Sequence, residues 1–431
     1  MHKYKLIFIA VGGVLLSGCR HDMPEWVQYV DYSQMSSHGK TFMVTSEQDR
    51  VITDNVSIPF GDHELQLSDE ATAPGRTTSA LNSVAMVRGL LSSIAGSSVH
   101  QVCGTYETVN SLGQPVYASG AIFYPTGKPI KNLVLVSHYT ISANYEAPSQ
   151  TFPLEAYLAE KGYVVIMPDY IGYGATVDSV HPYLQNYVTA VNVIDMLYAC
   201  YPFLNKRGIQ VSSDSVIMAG YSQGGVTSAF VQQIVETNDV YSDIIIKKNY
   251  CGGGPYYPYV TYWEYRKSDV SAIPYAMPLT VAGMVLGRDS VLSLDFFFQD
   301  WLLQHYQEWF VSKRYNGQQI NRLMGTDKLS DMLRPQAFND SLETMHEFFA
   351  ELQENGIAPG YKPQAPMYVF HSTTDNIVPF ANADTLRSRF AAPPTGFTDA
   401  HPANVQYDFD KYGNHTSGFL KFFFGVLWKE L

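Results

Sequence analysis

The feature that most constrains this chain is a ten-residue stretch, Val216-Ile217-Met218-Ala219-Gly220-Tyr221-Ser222-Gln223-Gly224-Gly225. An apolar, strand-like run ends at Gly220, Ser222 follows, and a helical pattern begins after Gly224. This G-x-S-x-G pattern is typical of a nucleophile elbow, in which a serine stands on a strained turn between a strand and a helix. Glycine leaves room for such a bend. We therefore predict that Ser222 is a nucleophile; the alternative is a glycine-lined bend in which the serine only caps the helix.

The overall composition is that of a folded, acidic protein. The 431 residues suffice for one large elaborated domain or for two domains. Charged residues make up only 16% and aromatic residues 14% of the chain, which argues against disorder. The net charge is −12, and Lys and Arg do not cluster beyond the extreme N-terminus. The sequence therefore excludes a typical nucleic-acid-binding protein, whose surface needs a basic patch.

The N-terminus has the pattern of an export signal. Lys3 and Lys5 precede a short apolar stretch, and small residues then precede Cys19. The ending Leu16-Ser17-Gly18-Cys19 resembles the lipobox of bacterial lipoproteins, and that resemblance implies lipidation of Cys19. We expect residues 1–19 to be a signal peptide and the mature chain to be lipid-anchored to a bacterial membrane on its extracytoplasmic side. An ordinary cleaved signal with an incidental cysteine is the alternative.

Three further cysteines, Cys103, Cys200 and Cys251, can form at most one disulfide. Their spacing matches no metal-binding motif, so we predict that they are small buried apolar residues. No metal or cofactor site is predicted.

The rest of the chain divides into a tether and N-terminal extension (20–98), a first core segment (99–254), an inserted helical cap (255–350) and a second core segment (351–431). Strands and helices alternate in both core segments, which predicts an α/β fold with a mainly parallel sheet covered on both faces. Core strands are predicted at 101–109, 116–124, 133–137, 163–167, 216–218, 244–251, 366–371 and 405–409. Helices are predicted at 80–94, 154–160, 183–198, 226–235, 381–390 and near the C-terminus.

The cap segment is rich in aromatic residues. Tyr, Trp and Phe make up about a quarter of residues 256–310, compared with 14% of the whole chain. These side chains could line an apolar acyl-binding pocket or simply form the core of the cap. For any single aromatic residue we favour the second interpretation, while the cap as a whole should shape the pocket.

A serine nucleophile needs a base, and the base needs an orienting acid. In hydrolases with a serine elbow, the three residues follow one another along the chain in the order Ser, Asp, His. The Asp and the His should each lie in a loop that follows a strand. Asp375 follows the predicted strand 366–371, and His415 follows the last predicted strand, so we predict that they are the acid and the base. His401 is a rival base, but it precedes the last strand. His371 lies inside a strand and is expected to be buried rather than catalytic.

The oxyanion formed during acyl transfer needs backbone donors. One should be the N–H of Gln223, the residue after the nucleophile, and the second should come from the loop after strand 133–137. In that loop Tyr139 is the predicted donor through its N–H. Its phenol could also donate a hydrogen bond, or the ring could simply pack the loop.

From Val99 to the C-terminus the chain resembles the α/β-hydrolase superfamily, and within it most closely the secretory lipase/esterase branch. The resemblance rests on Ser119-Gly120 before Phe123-Tyr124-Pro125, on Pro168-Asp169-Tyr170 with Gly172-Tyr173-Gly174, on the elbow, and on Asp375 with Val378-Pro379. It implies hydrolysis of carboxylic esters beneath a helical cap, without a cofactor. The chain departs from many esterases by having His138-Tyr139 where they have His-Gly, which leaves the preferred acyl group open.

Three functions remain open from the sequence. The first is a serine esterase or lipase acting on small-molecule or lipid esters. The second is a peptidase similar to prolyl oligopeptidase, although no propeller-type repeats precede the catalytic segment. A peptidase that binds an N-terminus would need an acidic pair in the cap, for which Asp295, Asp300 and Glu308 are weak candidates. The third is a non-catalytic surface protein that binds glycans, against which the complete set of Ser222, Asp375 and His415 argues.

Overall fold

The computed structural model describes residues 40–51, 57–58, 65–66, 96–286, 292–392 and 402–431. The signal peptide with Cys19, the helix predicted at 80–94 and the rival base His401 lie outside the described residues. Those three expectations therefore remain predictions.

The core is a nine-stranded sheet with the order β1-β2-β3-β5-β4-β6-β7-β8-β9. The first three strands and β5 pair antiparallel, and the six strands from β5 to β9 are parallel. The strands are β1 Met43–Val51, β2 Ser98–Val109, β3 Pro115–Pro125, β4 Asn132–Ser137, β5 Tyr163–Pro168, β6 Val216–Tyr221, β7 Ile246–Gly252, β8 Met367–Ser372 and β9 Val405–Asp410. All core strands predicted from the sequence are present.

The sheet begins earlier in the chain than the sequence indicated. β1, which lies in the segment assigned to the tether and extension, pairs antiparallel with β2 from Met43 opposite Thr105 to Val51 opposite Ser98. Most of its residues are exposed. Because an exposed edge strand has no continuous apolar run, the sequence predicts only two short strands there, at 41–45 and 51–52. The sheet therefore extends beyond the boundary placed at residue 99.

Helices cover both faces of the sheet. The α-helices are α1 Asn186–Lys206, α2 Gln223–Thr237, α3 Pro258–Ser268, α4 Ala276–Leu286, α5 Leu294–Phe297, α6 Asp300–Tyr306, α7 Gly317–Met324, α8 Leu329–Met332, α9 Glu343–Glu354, α10 Ala381–Ala391, α11 His415–Phe422 and α12 Trp428–Glu430. The core cluster on one face contains α1 and α2, and the cluster on the other face contains the 3₁₀ segment Leu154–Lys161 and α11. α1 is long and apolar enough to cross a membrane, but 83% of its most apolar window is buried inside the fold.

The parallel strands are apolar throughout because both of their faces are covered. Every residue of β5, β6 and β8 is buried. Cys103, Cys200 and Cys251 are free thiols and buried, as predicted. Helices α3 to α9 form the cap, which is inserted between β7 and β8. The structure therefore confirms the predicted α/β fold with a helical cap.

Candidate active site

Ser222 occupies a strained turn between β6 and α2. Its backbone φ is 58° and ψ is −124°, a conformation that costs a non-glycine residue on the order of 1–3 kcal/mol. A Cβ atom at Gly220 would overlap the carbonyl oxygen of Gly224, and one at Gly224 would overlap the carbonyl oxygen of Ser137. Glycine is therefore required at both positions, and the side chain of Ser222 is held where strand, helix and the end of β4 meet.

Asp375 and His415 form a buried hydrogen-bonded pair. His415 Nδ1 lies 2.6 Å from Asp375 Oδ2, and both side chains are at most 1% exposed. Asp375 follows β8, and its other oxygen accepts hydrogen bonds from the N–H groups of Ile377 and Val378. His415 is the first residue of α11, where the side chain of Asn414 caps the helix by accepting from Ser417 N–H. The fold thus brings together two residues that are 40 positions apart.

The contact with His415 favours the ionised form of the Asp375 carboxylate. Burial alone would raise the pKa of Asp375, but the charge and hydrogen bond of His415 outweigh it, and His371 and the N–H of Ile377 add to the effect. The net result is a lowered pKa. Because an ionised carboxylate only accepts, the proton in the 2.6 Å bond belongs to His415 Nδ1. His415 is therefore oriented with Nε2 as its basic atom.

Tyr221 connects the elbow to the base. Its hydroxyl donates to the carbonyl oxygen of His415 at 2.9 Å, and the two rings are 4.9 Å apart between centroids. Tyr221 is the residue directly before Ser222, so it links the elbow to His415. His371, by contrast, lies fully buried in β8 with Nε2 facing the carbonyl oxygen of Val378, as expected for a structural histidine.

The two predicted oxyanion donors lie on the expected elements. Gln223 is the first residue of α2, so its N–H has no partner within the helix itself. Tyr139 follows the end of β4, and its ring packs edge-on against Phe419 at 5.7 Å. His138, next to it, stacks on Tyr170 at 4.0 Å between ring centroids. Burial lowers the pKa of His138 to about 4, so this ring is neutral at physiological pH.

The Pro-Asp-Tyr motif after β5 is structural. Asp169 is fully buried and accepts hydrogen bonds from the hydroxyls of Ser119 and Ser149, each at 2.6 Å, and from Ser149 N–H at 2.8 Å. A Cβ at Gly174 would overlap Ser119 Oγ and Asp169 Oδ2. The motif therefore joins β3, the loop after β4 and the loop after β5 through hydrogen bonds to Asp169.

Sequence reasoning missed two buried titratable residues near the site. His181 Nε2 lies 2.9 Å from Gln223 Nε2. Lys313 follows a π-helical turn, Gln307–Val311, and has a φ of 55°. Its ammonium lies 4.9 Å from the ring centroid of Tyr173, and the residue is only 4% exposed. Neither residue belongs to a recognisable motif, so no sequence signal distinguished them.

Lys313 should destabilise the fold at neutral pH. Burial lowers its pKa from 10.5 to about 8. Below pH 8 the folded state therefore carries a charge that its surroundings disfavour, at a cost of about 3 kcal/mol. Stability should rise between pH 8 and 10.5, where the unfolded chain still binds the proton that the folded chain has released. Lys313→Met is expected to increase the free energy of unfolding by up to about 3 kcal/mol at pH 7, with the gain shrinking towards pH 10.

Urea unfolding of the wild-type and Lys313→Met proteins between about pH 7 and pH 10 checks the prediction. The exposed Lys328 supplies the control, because Lys328→Met removes the same charge from the cap without removing a buried one. A Lys313→Met protein that is less stable at pH 7, or a difference that does not vary with pH, would contradict the account.

A narrow apolar cavity opens beside Ser222. The space between its lining atoms, including the part open to solvent, is about 460 Å³, and we call this cavity the slot. The lining side chains come from both the cap and the core and include Tyr183, Ser222, Pro258, Tyr262, Tyr265, Ala276, Met277, Ile377 and Val378. The hydroxyl of Tyr265 donates to the carbonyl oxygen of Ile377, which joins the cap to the loop that carries Asp375.

Most cap aromatic residues form the core of the cap, as favoured from the sequence. Phe297, Phe298 and Trp309 are buried in the main core cluster and do not line the cavity. Among the aromatic cap residues that the structure describes, only Tyr262 and Tyr265 line the slot. Among the described residues, no group of three or more His, Cys, Asp or Glu side chains is placed to hold a metal ion.

The sheet order, the elbow and the helical cap are those of the α/β-hydrolase fold. A model of the secretory lipase family matches residues 136–238, which run from the end of β4 through the elbow to the end of α2. The predicted resemblance to the secretory lipase branch is thereby confirmed over this segment. No curated protein sequence matches the chain significantly.

Solved structures with the same fold include esterases and lipases. The rice cell wall degrading esterase LipA from Xanthomonas oryzae is 24% identical, with a TM-score of 0.64 over 80% of this chain and 92% of that chain. A putative hydrolase from Legionella pneumophila is 19% identical, with a TM-score of 0.64 over 78% and 89% of the two chains. Candida antarctica lipase A in its closed state is 17% identical, with a TM-score of 0.57 over 77% and 76%. At these identities the similarities show that the chain shares the fold of these proteins.

Proposed function

We propose that this protein is a serine hydrolase that cleaves carboxylic esters through Ser222, His415 and Asp375 and an acyl-enzyme intermediate. The observation that carries the proposal is the buried 2.6 Å pair of His415 and Asp375, joined through Tyr221 to the strained serine elbow. A buried acid, an imidazole and a serine on such a turn are the parts that acyl transfer requires.

In the first half-reaction, His415 Nε2 takes the proton of Ser222 as its Oγ attacks the ester carbonyl carbon. Asp375 stabilises the imidazolium that forms. The carbonyl oxygen becomes an oxyanion, to which the N–H groups of Gln223 and Tyr139 donate. When the intermediate collapses, His415 returns the proton to the departing alcohol, and an ester now joins the acyl group to Ser222.

In the second half-reaction, water takes the place of the alcohol. His415 removes a proton from the water as its oxygen attacks the acyl carbon, and the same two N–H groups bind the second oxyanion. Collapse releases the carboxylic acid, and the proton returns from His415 to Ser222 Oγ. The enzyme is regenerated without a cofactor.

The cavity favours an ester over a peptide substrate. Its side chains are mainly aliphatic and aromatic, which suits an acyl chain. The acids considered for binding an N-terminus lie elsewhere: Asp295 and Glu308 are exposed, and Asp300 is exposed and paired with Arg334. No specific observation favours the peptidase or the glycan-binding alternative.

A panel of p-nitrophenyl esters with acyl chains from acetyl to palmitoyl, alongside aminoacyl-p-nitroanilides, tests the proposal. We expect ester hydrolysis that Ser222→Ala abolishes, and no turnover of the anilides. Turnover of the anilides alone would overturn the ester preference. Ester turnover that survives in Ser222→Ala would overturn the assignment of the nucleophile.

The slot should set the acyl-chain preference. Ala276 lines it from α4 and is only 6% exposed, so Ala276→Phe should fill the space that a longer chain needs. For the longest acyl chain that the wild-type protein hydrolyses efficiently, we expect kcat/KM to fall by about 10- to 100-fold. Turnover of the acetyl ester should change by less than about threefold. Leu323→Phe on the exposed surface of the cap is the control. Equal losses for short and long esters in Ala276→Phe would show that the slot does not hold the acyl chain.

We also propose that Cys19 anchors the mature protein to a bacterial membrane and that the residues between Cys19 and β1 connect the anchor to the core. Only the lipobox-like ending supports this proposal. Labelled palmitate should be incorporated into the wild-type chain in the producing cell, and Cys19→Ser should abolish labelling. Labelling that persists in Cys19→Ser would contradict the assignment.

A further inference from the structure

The side chain of Gln223 makes a contact that the proposed reaction does not by itself require. Gln223 is 1% exposed, and its Nε2 lies 2.9 Å from His181 Nε2. The other ring nitrogen, His181 Nδ1, lies 2.7 Å from the carbonyl oxygen of Ile171. The residue proposed to donate its N–H to the oxyanion is therefore connected through its side chain to the loop after β5.

The two partners fix the protonation of His181. The carbonyl of Ile171 can only accept, so His181 Nδ1 carries the hydrogen. His181 Nε2 then has a lone pair and accepts from the amide N–H of Gln223. The reversed amide would place Gln223 Oε1 against this lone pair, so the observed orientation is the one that forms a hydrogen bond.

The surroundings keep His181 neutral and closely packed. Burial lowers its pKa to about 3, and the nearby charge of Lys313 contributes to the shift. The ring lies 5.1 Å from that of Tyr173 and 5.8 Å from that of Tyr183, measured between centroids. A Cβ at Gly172 would overlap the backbone of His181, so the loop after β5 closes directly around this residue.

We infer that His181 is a positioning residue that fixes the oxyanion donor Gln223. This inference rests on the proposed function. The peptide between Ser222 and Gln223 follows a strained backbone, with φ of 58° at the serine, and its N–H has no partner within α2. A side-chain hydrogen bond to a rigid, neutral imidazole removes the freedom of Gln223 to rotate. The N–H then stays directed at the position where the oxyanion develops, which a preorganised site requires.

A double-mutant cycle on p-nitrophenyl butyrate tests the inference. His181→Phe keeps a ring but has no acceptor, and Gln223→Met keeps the backbone N–H and the side-chain length but has no amide. Each is expected to lower kcat by about 10- to 100-fold, with KM changing by less than about threefold, because misplaced donors act on the transition state. The double variant should be no slower than the slower single variant, because both substitutions remove the same hydrogen bond.

Two further measurements distinguish positioning from a purely structural role. His181→Gln places an amide oxygen where Nε2 stood and is expected to retain kcat within about threefold of wild type, since only the acceptor matters. A trifluoromethyl ketone, which forms a tetrahedral oxyanion on the serine, should bind more weakly to His181→Phe by about the factor lost in kcat. Melting temperatures identify any variant that fails to fold. If His181→Phe fails to fold, Gln223→Met tests the same hydrogen bond by removing its donor.

Unchanged kcat and inhibitor affinity in His181→Phe or Gln223→Met would overturn the inference, and so would losses that multiply in the double variant. These results leave Ser222-dependent hydrolysis intact. Failure of the proposed function would instead be seen as ester turnover in Ser222→Ala, so the two failures are distinguishable.

Discussion

Ser222→Ala is expected to reduce kcat for ester hydrolysis by about 10⁶-fold, because removing the nucleophile of a serine triad leaves only binding and oxyanion stabilisation. Ser222 is 7% exposed and held at a φ of 58° between two obligatory glycines. No neighbouring hydroxyl can adopt this position without rebuilding the turn. Steady-state hydrolysis of p-nitrophenyl butyrate, with enzyme at high concentration, measures the remaining rate.

The fold should tolerate this substitution. The side chain of Ser222 does not cap α2, and its backbone groups make the local hydrogen bonds, with its N–H donating to the carbonyl of Gly252 at 2.9 Å. The Ser222→Ala protein is therefore expected to melt within a few degrees of wild type. Ser228→Ala in the same helix is the matched control and should retain activity, since its hydroxyl donates to Asn249 Oδ1 in β7 and belongs to no part of the proposed site. A Ser222→Ala variant with more than trace activity would contradict the account.

Asp375→Asn is expected to lower kcat by about 10⁴-fold, or about 5 kcal/mol in transition-state stabilisation. The asparagine oxygen can still accept from Ile377 and Val378 N–H, so its amide nitrogen must face His415 Nδ1. A nitrogen that donates to Nδ1 forces the proton of the imidazole onto Nε2. His415 then cannot take the proton of Ser222, although the geometry of the site is preserved.

The surface acid Asp384 supplies the control for this second prediction. It pairs with Arg387 on α10, and both side chains are about half exposed. Asp384→Asn should therefore leave kcat within about twofold, as is usual for exposed ion pairs. If Asp375→Asn retained a third or more of the wild-type kcat, Asp375 would not be the residue that orients the base.

The sheet was predictable, and the three residues of the proposed triad could be selected as candidates, because their signals are local. Parallel strands covered on both faces read as continuous apolar runs, and β4, β5, β6 and β8 all do so. The elbow is encoded by the glycines around Ser222. Asp375 and His415 could be selected because the ends of parallel strands meet at one edge of the sheet.

The features that the sequence did not predict depend on contacts between distant segments, which no local pattern encodes. Gln223 and His181 are 42 residues apart, and their hydrogen bond exists only because the loop after β5 folds over the start of α2. Lys313 reaches Tyr173 from a turn within the cap. β1 was not recognised as part of the sheet, because its exposed residues give no apolar pattern. Such features follow from topology and packing rather than from periodicity.

The most direct test of the central claim is covalent labelling with a fluorophosphonate, followed by mass spectrometry of the peptides. An activated serine displaces fluoride from phosphorus, so the reagent reports the nucleophile itself rather than turnover of a chosen substrate. We expect one adduct per chain, on the peptide that contains Ser222, formed much more slowly in Asp375→Asn and absent from Ser222→Ala. An adduct on another serine, or full labelling of Ser222→Ala, would contradict the assignment of Ser222 as the nucleophile.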